Sequence, residues 1–120
     1  NKIELLDFKS QTKPKEDMRR VASYHQQLLI YAHILEERYG KHPDRLALYW
    51  TGEEKREDAL MVFPYQPERV FAAGAHFDRV VDRILARDFA VREIPERKVC
   101  AECDFNRYCA GQGTIRLNLP

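Results

Sequence analysis

Apolar residues recur along this chain with two different periods, which separate predicted helices from predicted strands. From Arg20 to Tyr39 they return at steps of three and four residues, the period of an α-helix. Gly40 follows as the residue just past the helix end, and Pro43 prevents continuation. A second helical stripe runs from Pro67, whose missing N–H is tolerated in a first turn, to about residue 88.

Three shorter runs predict strands at residues 2–9, 46–51 and 59–65. The last two flank the charged loop 52–58 and therefore predict a hairpin. Polar residues 10–20, which include Pro14, predict a loop, and residues 89–120 lack any sustained period and predict a loop-rich tail. The resulting order is strand, helix, hairpin, helix and tail, which indicates an α/β fold.

Composition limits the class of protein but does not indicate what the protein binds. A chain of 120 residues with 44% hydrophobic residues suits one domain with a modest core. Lys and Arg (20) nearly balance Asp and Glu (19), so the net charge of +1 neither favours nor excludes nucleic acid. No apolar run approaches the roughly 20 residues that span a bilayer, and no signal peptide is visible. We expect a soluble, cytoplasmic protein with no membrane partner.

Asp7 and Lys9 form the first candidate site. Residues two apart in a strand face the same side, so the carboxylate and the ammonium project together. A carboxylate on a strand is a suitable ligand for Mg²⁺. A neighbouring lysine can orient or help to deprotonate a metal-bound water aimed at a phosphodiester. An ordinary exposed ion pair at a strand end explains the same two residues.

Gln27 and Tyr31 lie four residues apart on the apolar face of the first predicted helix. Their amide and hydroxyl groups can contact a bound DNA strand or the water shell of a metal. The alternative for Tyr31 is a core aromatic whose hydroxyl reaches the rim. Gln27 is harder to explain in that way, because a glutamine on an inward face needs a hydrogen-bond partner.

All three cysteines, Cys100, Cys103 and Cys109, fall within ten residues of each other. An odd number in a tight cluster does not suit a secreted disulfide framework. Close spacing lets thiolates reach one metal or cluster from a single loop, and four of them complete a [4Fe–4S] site. Zinc with a histidine as an additional ligand, or three thiols without any ligand, remain open alternatives.

Taken in order, the segments LLDFKS, QLLIY and VCAECDFNRYC resemble one family, the RecB-like PD-(D/E)xK nucleases of the iron–sulfur type. That family carries (D/E)-x-K on a strand, Q-x-x-x-Y on the next helix, then a hairpin, a helix and a C-x2-C-x5-C group. The resemblance covers residues 2–110. It implies a partial restriction-endonuclease-like fold with a mixed central sheet flanked by two helices. It also implies a nuclease core over residues 1–99 and a Cys-rich clip over residues 100–120.

The resemblance assigns a role to each candidate residue. Asp7 is expected to bind Mg²⁺ or Mn²⁺, with the Phe8 carbonyl as a further ligand, while Lys9 positions the attacking water. Gln27 and Tyr31 are expected to support the site and the DNA strand. Together with Lys9, the basic residues that follow it exceed Glu16 and Asp17 by three charges and suit a phosphate backbone, although a solvated loop explains them equally well. They are Lys13, Lys15, Arg19 and Arg20.

The family also places an aspartate ligand and a fourth cysteine upstream of the segments matched here. We therefore expect this chain to be part of a larger DNA repair or recombination protein, fused to or partnered with a helicase, and to be inactive alone. Two alternatives from other classes stay open. One is a non-catalytic nuclease-like module that binds DNA or protein, and the other is a small zinc-binding interaction domain.

Overall fold

A computed structural model describes residues 2–15, 18–89 and 97–105 of the chain. These residues form three strands and four helices. In chain order the elements are β1 (Glu4–Lys9), α1 (Met18–Tyr39), β2 (Arg45–Trp50), α2 (Arg56–Ala59), β3 (Leu60–Pro64), α3 (Pro67–Leu85) and α4 (Arg97–Ala101).

The three strands form one mixed sheet in the order β1-β2-β3. β1 and β2 are parallel, whereas β2 and β3 are antiparallel. Each arrangement follows from its connection: a helix carries the chain back between parallel strands, while a short link suffices for an antiparallel pair. The predicted α/β architecture and the predicted hairpin are both confirmed.

Hydrogen bonds fix the register of β1 against β2 at both ends. At one end, Asp44 makes two hydrogen bonds with Ile3. The Asp44 carboxylate accepts a hydrogen bond from the Ile3 N–H at 2.7 Å, and the Asp44 N–H donates to the Ile3 carbonyl at 2.8 Å. At the other end the Thr51 N–H donates to the Lys9 carbonyl at 2.8 Å. Lys9 is therefore held opposite Trp50.

The core lies between the sheet and the two long helices. Its buried members come from α1, β2 and the first half of α3: Leu28, Leu29, Ala32, Leu46, Leu48, Trp50, Val70 and Ala73. Leu5, Met61 and Phe63 pack against this cluster from β1 and β3. Asp7 and Lys9 follow Leu5 at two-residue steps and so face α1. The alternate residues of β1, among them Leu6 and Phe8, are exposed on the opposite face of the sheet.

Several element boundaries differ from those that the sequence predicts. α1 begins at Met18, inside the expected loop 10–20. The charged segment 52–58 contains the start of α2, whose first turn carries Glu57 and Asp58, where acidic side chains complement the helix dipole. α4 lies in the expected loop-rich tail. Both α2 and α4 are too short for a helical period to show in the sequence. Gly40 has φ 62°, as expected for the residue after a helix.

The chain divides into two compact units, Asn1–Asp78 and Arg79–Pro120. The first contains the whole sheet and α1. The second contains the end of α3 and α4. The domain boundary expected at residue 99 depends on the cysteine segment, of which residues 106–120 lie outside the described part, and stays a prediction. Within the described residues, no helix has the length and apolar character needed to cross a membrane.

His25 is the one buried polar residue among the described residues. Its ring stacks on Phe63, with centroids 4.2 Å apart and an interplanar angle of 14°. Its Nε2 atom is buried and has no hydrogen-bond partner among the residues that the structure describes. Burial, and secondarily the nearby charge of Arg69, lowers the pKa of His25 below its ordinary value of 6.5. The fold therefore favours the neutral form of this imidazole.

We expect the free energy of unfolding to fall as the pH drops below 6.5. In that range the unfolded chain binds a proton on His25 more readily than the folded chain, whose pKa is lowered, so acid favours unfolding. Urea titrations above and below this pH measure the effect. His25→Leu, which keeps an apolar contact with Phe63, should make the free energy of unfolding depend less on pH. An unchanged pH profile in His25→Leu would contradict the assignment.

Candidate active site

The candidate catalytic residues of β1 lie at its carboxyl end, on the face covered by α1. Asp7 and Lys9 are the last two inward positions of the strand. Their side chains form an ion pair, with Lys9 Nζ 2.7 Å from Asp7 Oδ2. Only 15% of the Lys9 side chain and 23% of the Asp7 side chain are exposed. The pair is thus largely enclosed and differs from an ordinary surface ion pair.

Gln27 joins this pair to α1. Its amide oxygen accepts a hydrogen bond from Lys9 Nζ at 2.9 Å. Its amide nitrogen donates to the Tyr31 hydroxyl oxygen at 2.8 Å. The amide orientation follows from these two contacts, because an ammonium can only donate. Asp7, Lys9, Gln27 and Tyr31, which the sequence suggested from two separate motifs, therefore form one continuous chain of contacts.

Tyr24 is a member of this cluster that the sequence did not reveal. Lys9 Nζ lies over its ring, 3.9 Å from the ring centroid. The same ring contacts Trp50 edge to face, with centroids 5.8 Å apart. The sequence contained an indication of it, since Tyr24 precedes Gln27 by three residues and so shares its helix face. Its apolar spacing alone, however, predicted only a core residue.

Asp7 has spare capacity to bind a cation. Its Oδ2 atom is buried and lies 2.7 Å from the Lys9 ammonium, but a carboxylate has two oxygens with about four lone-pair sites, which is more than this contact uses. A carboxylate oxygen with free lone pairs is a suitable ligand for Mg²⁺ or Mn²⁺. Among the described residues, no group of three or more His, Cys, Asp and Glu side chains converges on one point. Asp7 thus fits one position of a metal site and does not form a complete site.

The Phe8 carbonyl, the second metal ligand expected on β1, can be located from the pairing of the strand. The carbonyls of Ile3 and Lys9 accept hydrogen bonds from Asp44 and Thr51, the residues that flank β2. Because main-chain groups alternate along a strand, the carbonyl of Phe8 points to the other edge of β1. It is therefore not engaged in the pairing with β2.

The basic residues after β1 lie in a mixed electrostatic setting. Lys13 and Lys15 line a depression together with Glu53 and Asp58. Glu53 also accepts a hydrogen bond from the Lys13 main chain at 2.6 Å. These carboxylates, which are remote in sequence, reduce the positive charge that the sequence predicted here. Beyond the depression, Arg19 is exposed, and the exposed Arg20 donates to the Gln11 side chain at 3.1 Å.

Two of the three cysteines lie in the described part of the second unit. Cys100 belongs to α4, and Cys103 follows it, with its N–H donating to the Cys100 carbonyl at 3.3 Å. Cys103 is exposed and Cys100 is half-buried. Cys109 lies outside the described residues, so the expected three-cysteine arrangement stays a prediction.

The contact between Lys9 and Gln27 should be measurable as a coupling free energy. A double-mutant cycle with Lys9→Met and Gln27→Leu is expected to give about 1–2 kcal/mol, since a charged hydrogen bond in a largely enclosed position contributes in that range. Urea unfolding of the four proteins provides the values. As a matched control, Lys9→Met combined with Glu54→Ala, an exposed site, should give no coupling. Coupling near zero for the first pair would refute the contact.

Comparison with known proteins identifies the family of this chain. The chain matches the family model of the PD-(D/E)XK nuclease superfamily over residues 1–110. That span includes β1 with its D-x-K residues, α1 with Gln27 and Tyr31, and all three cysteines. A search of curated proteins gave no match. The mixed sheet with its helices is consistent with a partial restriction-endonuclease-like fold. The chain belongs to the PD-(D/E)XK nuclease superfamily.

Proposed function

We propose that this chain supplies part of a metal-dependent site that hydrolyses DNA phosphodiesters. The observation that carries the proposal is the continuous contact from Asp7 through Lys9 and Gln27 to Tyr31 on one face of the fold. Membership of a nuclease superfamily supports the same chemistry. An enclosed carboxylate beside an ammonium is costly to bury, and a catalytic role gives a reason for keeping it.

In this proposal Asp7 holds a divalent cation through its carboxylate, and the Phe8 carbonyl is a second ligand. When bound, Mg²⁺ or Mn²⁺ would polarise the phosphate and lower the pKa of a coordinated water. The described residues offer one carboxylate at this place, so the remaining ligands are waters or other protein groups. Mg²⁺ sites commonly combine one or two carboxylates with several waters.

Lys9 acts as a hydrogen-bond donor and a positive charge. Asp7 and Gln27 occupy two sides of its ammonium group. An ammonium carries three N–H donors, so one remains for a water molecule or a phosphate oxygen. Negative charge develops on the phosphate oxygens as the bond to water forms, and a fixed ammonium stabilises that charge.

Gln27 and Tyr31 have distinct roles in the proposal. Gln27 accepts a hydrogen bond from Lys9 with its carbonyl oxygen and donates one to Tyr31 with its amide nitrogen. It therefore orients the side chains of Lys9 and Tyr31. The Tyr31 oxygen accepts from Gln27, which leaves its hydroxyl proton for an outside acceptor. Tyr31 is 41% exposed, so that acceptor can be a phosphate of the bound strand. Beyond the site, the phosphate backbone of the DNA would contact the basic residues Lys13, Lys15, Arg19 and Arg20. Glu53 and Asp58 reduce the positive charge near Lys13 and Lys15.

The assignment to a particular branch of the superfamily rests on the sequence motifs and not on the fold. The Q-x-x-x-Y spacing on α1 and the C-x2-C-x5-C group support a RecB-like nuclease with a [4Fe–4S] cluster. Such a nuclease would act in the cytoplasm with a helicase domain or subunit, in DNA repair or recombination. The short distance along the chain between Cys100 and Cys103, at the end of α4, suits two ligands of one centre.

One observation favours a second candidate, a non-catalytic module that binds DNA or protein. Asp7 is the sole carboxylate in the cluster around Lys9 within the described residues. A single carboxylate binds Mg²⁺ weakly unless further ligands join it. The two candidates differ in whether Asp7 is needed for DNA cleavage or only for the contacts of Lys9.

Replacing Asp7 by Asn in the natural full-length protein should abolish Mg²⁺-dependent cleavage of linear DNA. We expect kcat to fall by about a hundredfold or more, because the amide is a poor ligand for a hard cation. Glu4→Gln is the matched control, since Glu4 lies on the same strand but pairs with Arg45 at the opposite end. That variant should cleave normally. Full activity of Asp7→Asn, or equal losses in both variants, would contradict the proposal.

The cysteine assignment predicts the metal content of the same protein. Anaerobic purification should yield iron and sulfide with a broad absorbance at about 400 nm, and Cys103→Ser should lose it. Cleavage-deficient Asp7→Asn is the control and should retain the colour. A colourless protein that contains zinc would replace the iron–sulfur assignment by a zinc-binding one.

A further inference from the structure

We infer that Tyr24 is the positioning residue that holds the Lys9 ammonium in place through the face of its ring. The inference rests on the proposed function of Lys9 and adds a residue that neither the D-x-K nor the Q-x-x-x-Y spacing contains. Tyr24 lies on α1, one turn before Gln27. It is half-buried and packs against the core cluster.

The position of Lys9 relative to the ring is that of a cation–π contact. Its Nζ atom lies 3.9 Å from the ring centroid, well inside the range in which the negative face of an aromatic ring attracts a cation. The other two contacts of Nζ, with Asp7 and Gln27, are polar and directional. The ring therefore lies against the ammonium without accepting a directed hydrogen bond, and the third N–H stays available for a water molecule or a phosphate oxygen.

Trp50 fixes the ring of Tyr24. Trp50 is fully buried at the end of β2 and is the strand partner of Lys9. Its ring meets that of Tyr24 at an angle of 61°, the edge-to-face arrangement that aromatic pairs favour. The order of contacts is thus from the core through Trp50 to Tyr24 and then to Lys9. A lysine side chain has several rotatable bonds, and this stack restricts them before substrate binds.

This arrangement predicts an effect on the chemical step rather than on substrate binding. Tyr24 contacts Lys9, whose proposed role is to stabilise the negative charge that develops in the transition state. Loss of the ring should therefore lower kcat and leave KM for DNA unchanged, as expected when an interaction matters mainly in the transition state. The expected loss is about tenfold, which corresponds to the strength of a partly enclosed cation–π contact.

The first test is spectroscopic and needs no catalysis. In the unmodified protein, the Cε protons of Lys9 should resonate upfield of those of the other lysines, because they lie over an aromatic face, and should show NOEs to the Tyr24 ring. Tyr24→Phe should keep the upfield shift and Tyr24→Leu should lose it. Ordinary Lys9 shifts and no NOE in the unmodified protein would overturn the inference, even if Tyr24→Leu fails to fold.

The second test measures activity in the natural full-length protein. Tyr24→Leu should lower kcat about tenfold at constant KM, and Tyr24→Phe should restore most of the loss. Tyr65→Leu is the matched control, because Tyr65 is also half-buried against the core cluster but contacts Glu36 instead of Lys9. It should lower stability to a similar degree without lowering kcat. Equal losses of kcat in Tyr24→Leu and Tyr65→Leu would overturn the inference.

The two tests separate a failure of this inference from a failure of the proposed function. A protein that shows the ring-shifted Lys9 resonance but cleaves no DNA would retain the Tyr24 contact and lose the nuclease proposal. A protein that cleaves DNA in an Asp7-dependent way but shows no such resonance would retain the nuclease proposal and lose the role of Tyr24.

Discussion

A positive charge that is only 15% exposed must be compensated inside the fold, and the compensation of Lys9 organises this structure. Its partners come from two elements that are remote in sequence: Asp7 from β1, and Gln27 and Tyr24 from α1. Each partner suits the ammonium in a different way, by charge, by a carbonyl lone pair and by an aromatic face. The same contacts that satisfy Lys9 therefore dock the end of β1 against α1. In this way the stability of the fold and the geometry of the site depend on one side chain.

Much of the architecture follows from periodicity. The helical stripe of α1, the proline that starts α3 and the apolar runs of the three strands were sufficient to predict their order and the hairpin. The parallel pairing of β1 with β2 then places Asp7 and Lys9 beneath α1. What periodicity missed were α2 and α4, each about one turn long. A single turn repeats no pattern, so its formation depends on local charge and on hydrogen bonds that the sequence does not display.

For the candidate site as well, the sequence predicted some members and missed others. The two spacings D-x-K and Q-x-x-x-Y were enough to bring Asp7, Lys9, Gln27 and Tyr31 together, because each spacing fixes a face of its own element. The role of Tyr24 was missed because it depends on the distance between two elements. The position of Glu53 beside the Lys13 segment was missed for the same reason, since charge was counted along the chain and the carboxylate approaches from a remote loop.

The register of β1 also determines which changes of chain length this protein tolerates. Asp44 fixes one end of the strand and Thr51 the other. One extra residue between these points would move every following side chain to the other face, so Asp7 and Lys9 would exchange places with residues such as Phe8. Two extra residues would restore the face but displace the pair by about 7 Å along the strand. Insertions and deletions should therefore accumulate in the loops beyond Lys9, while the six-residue length of β1 is kept.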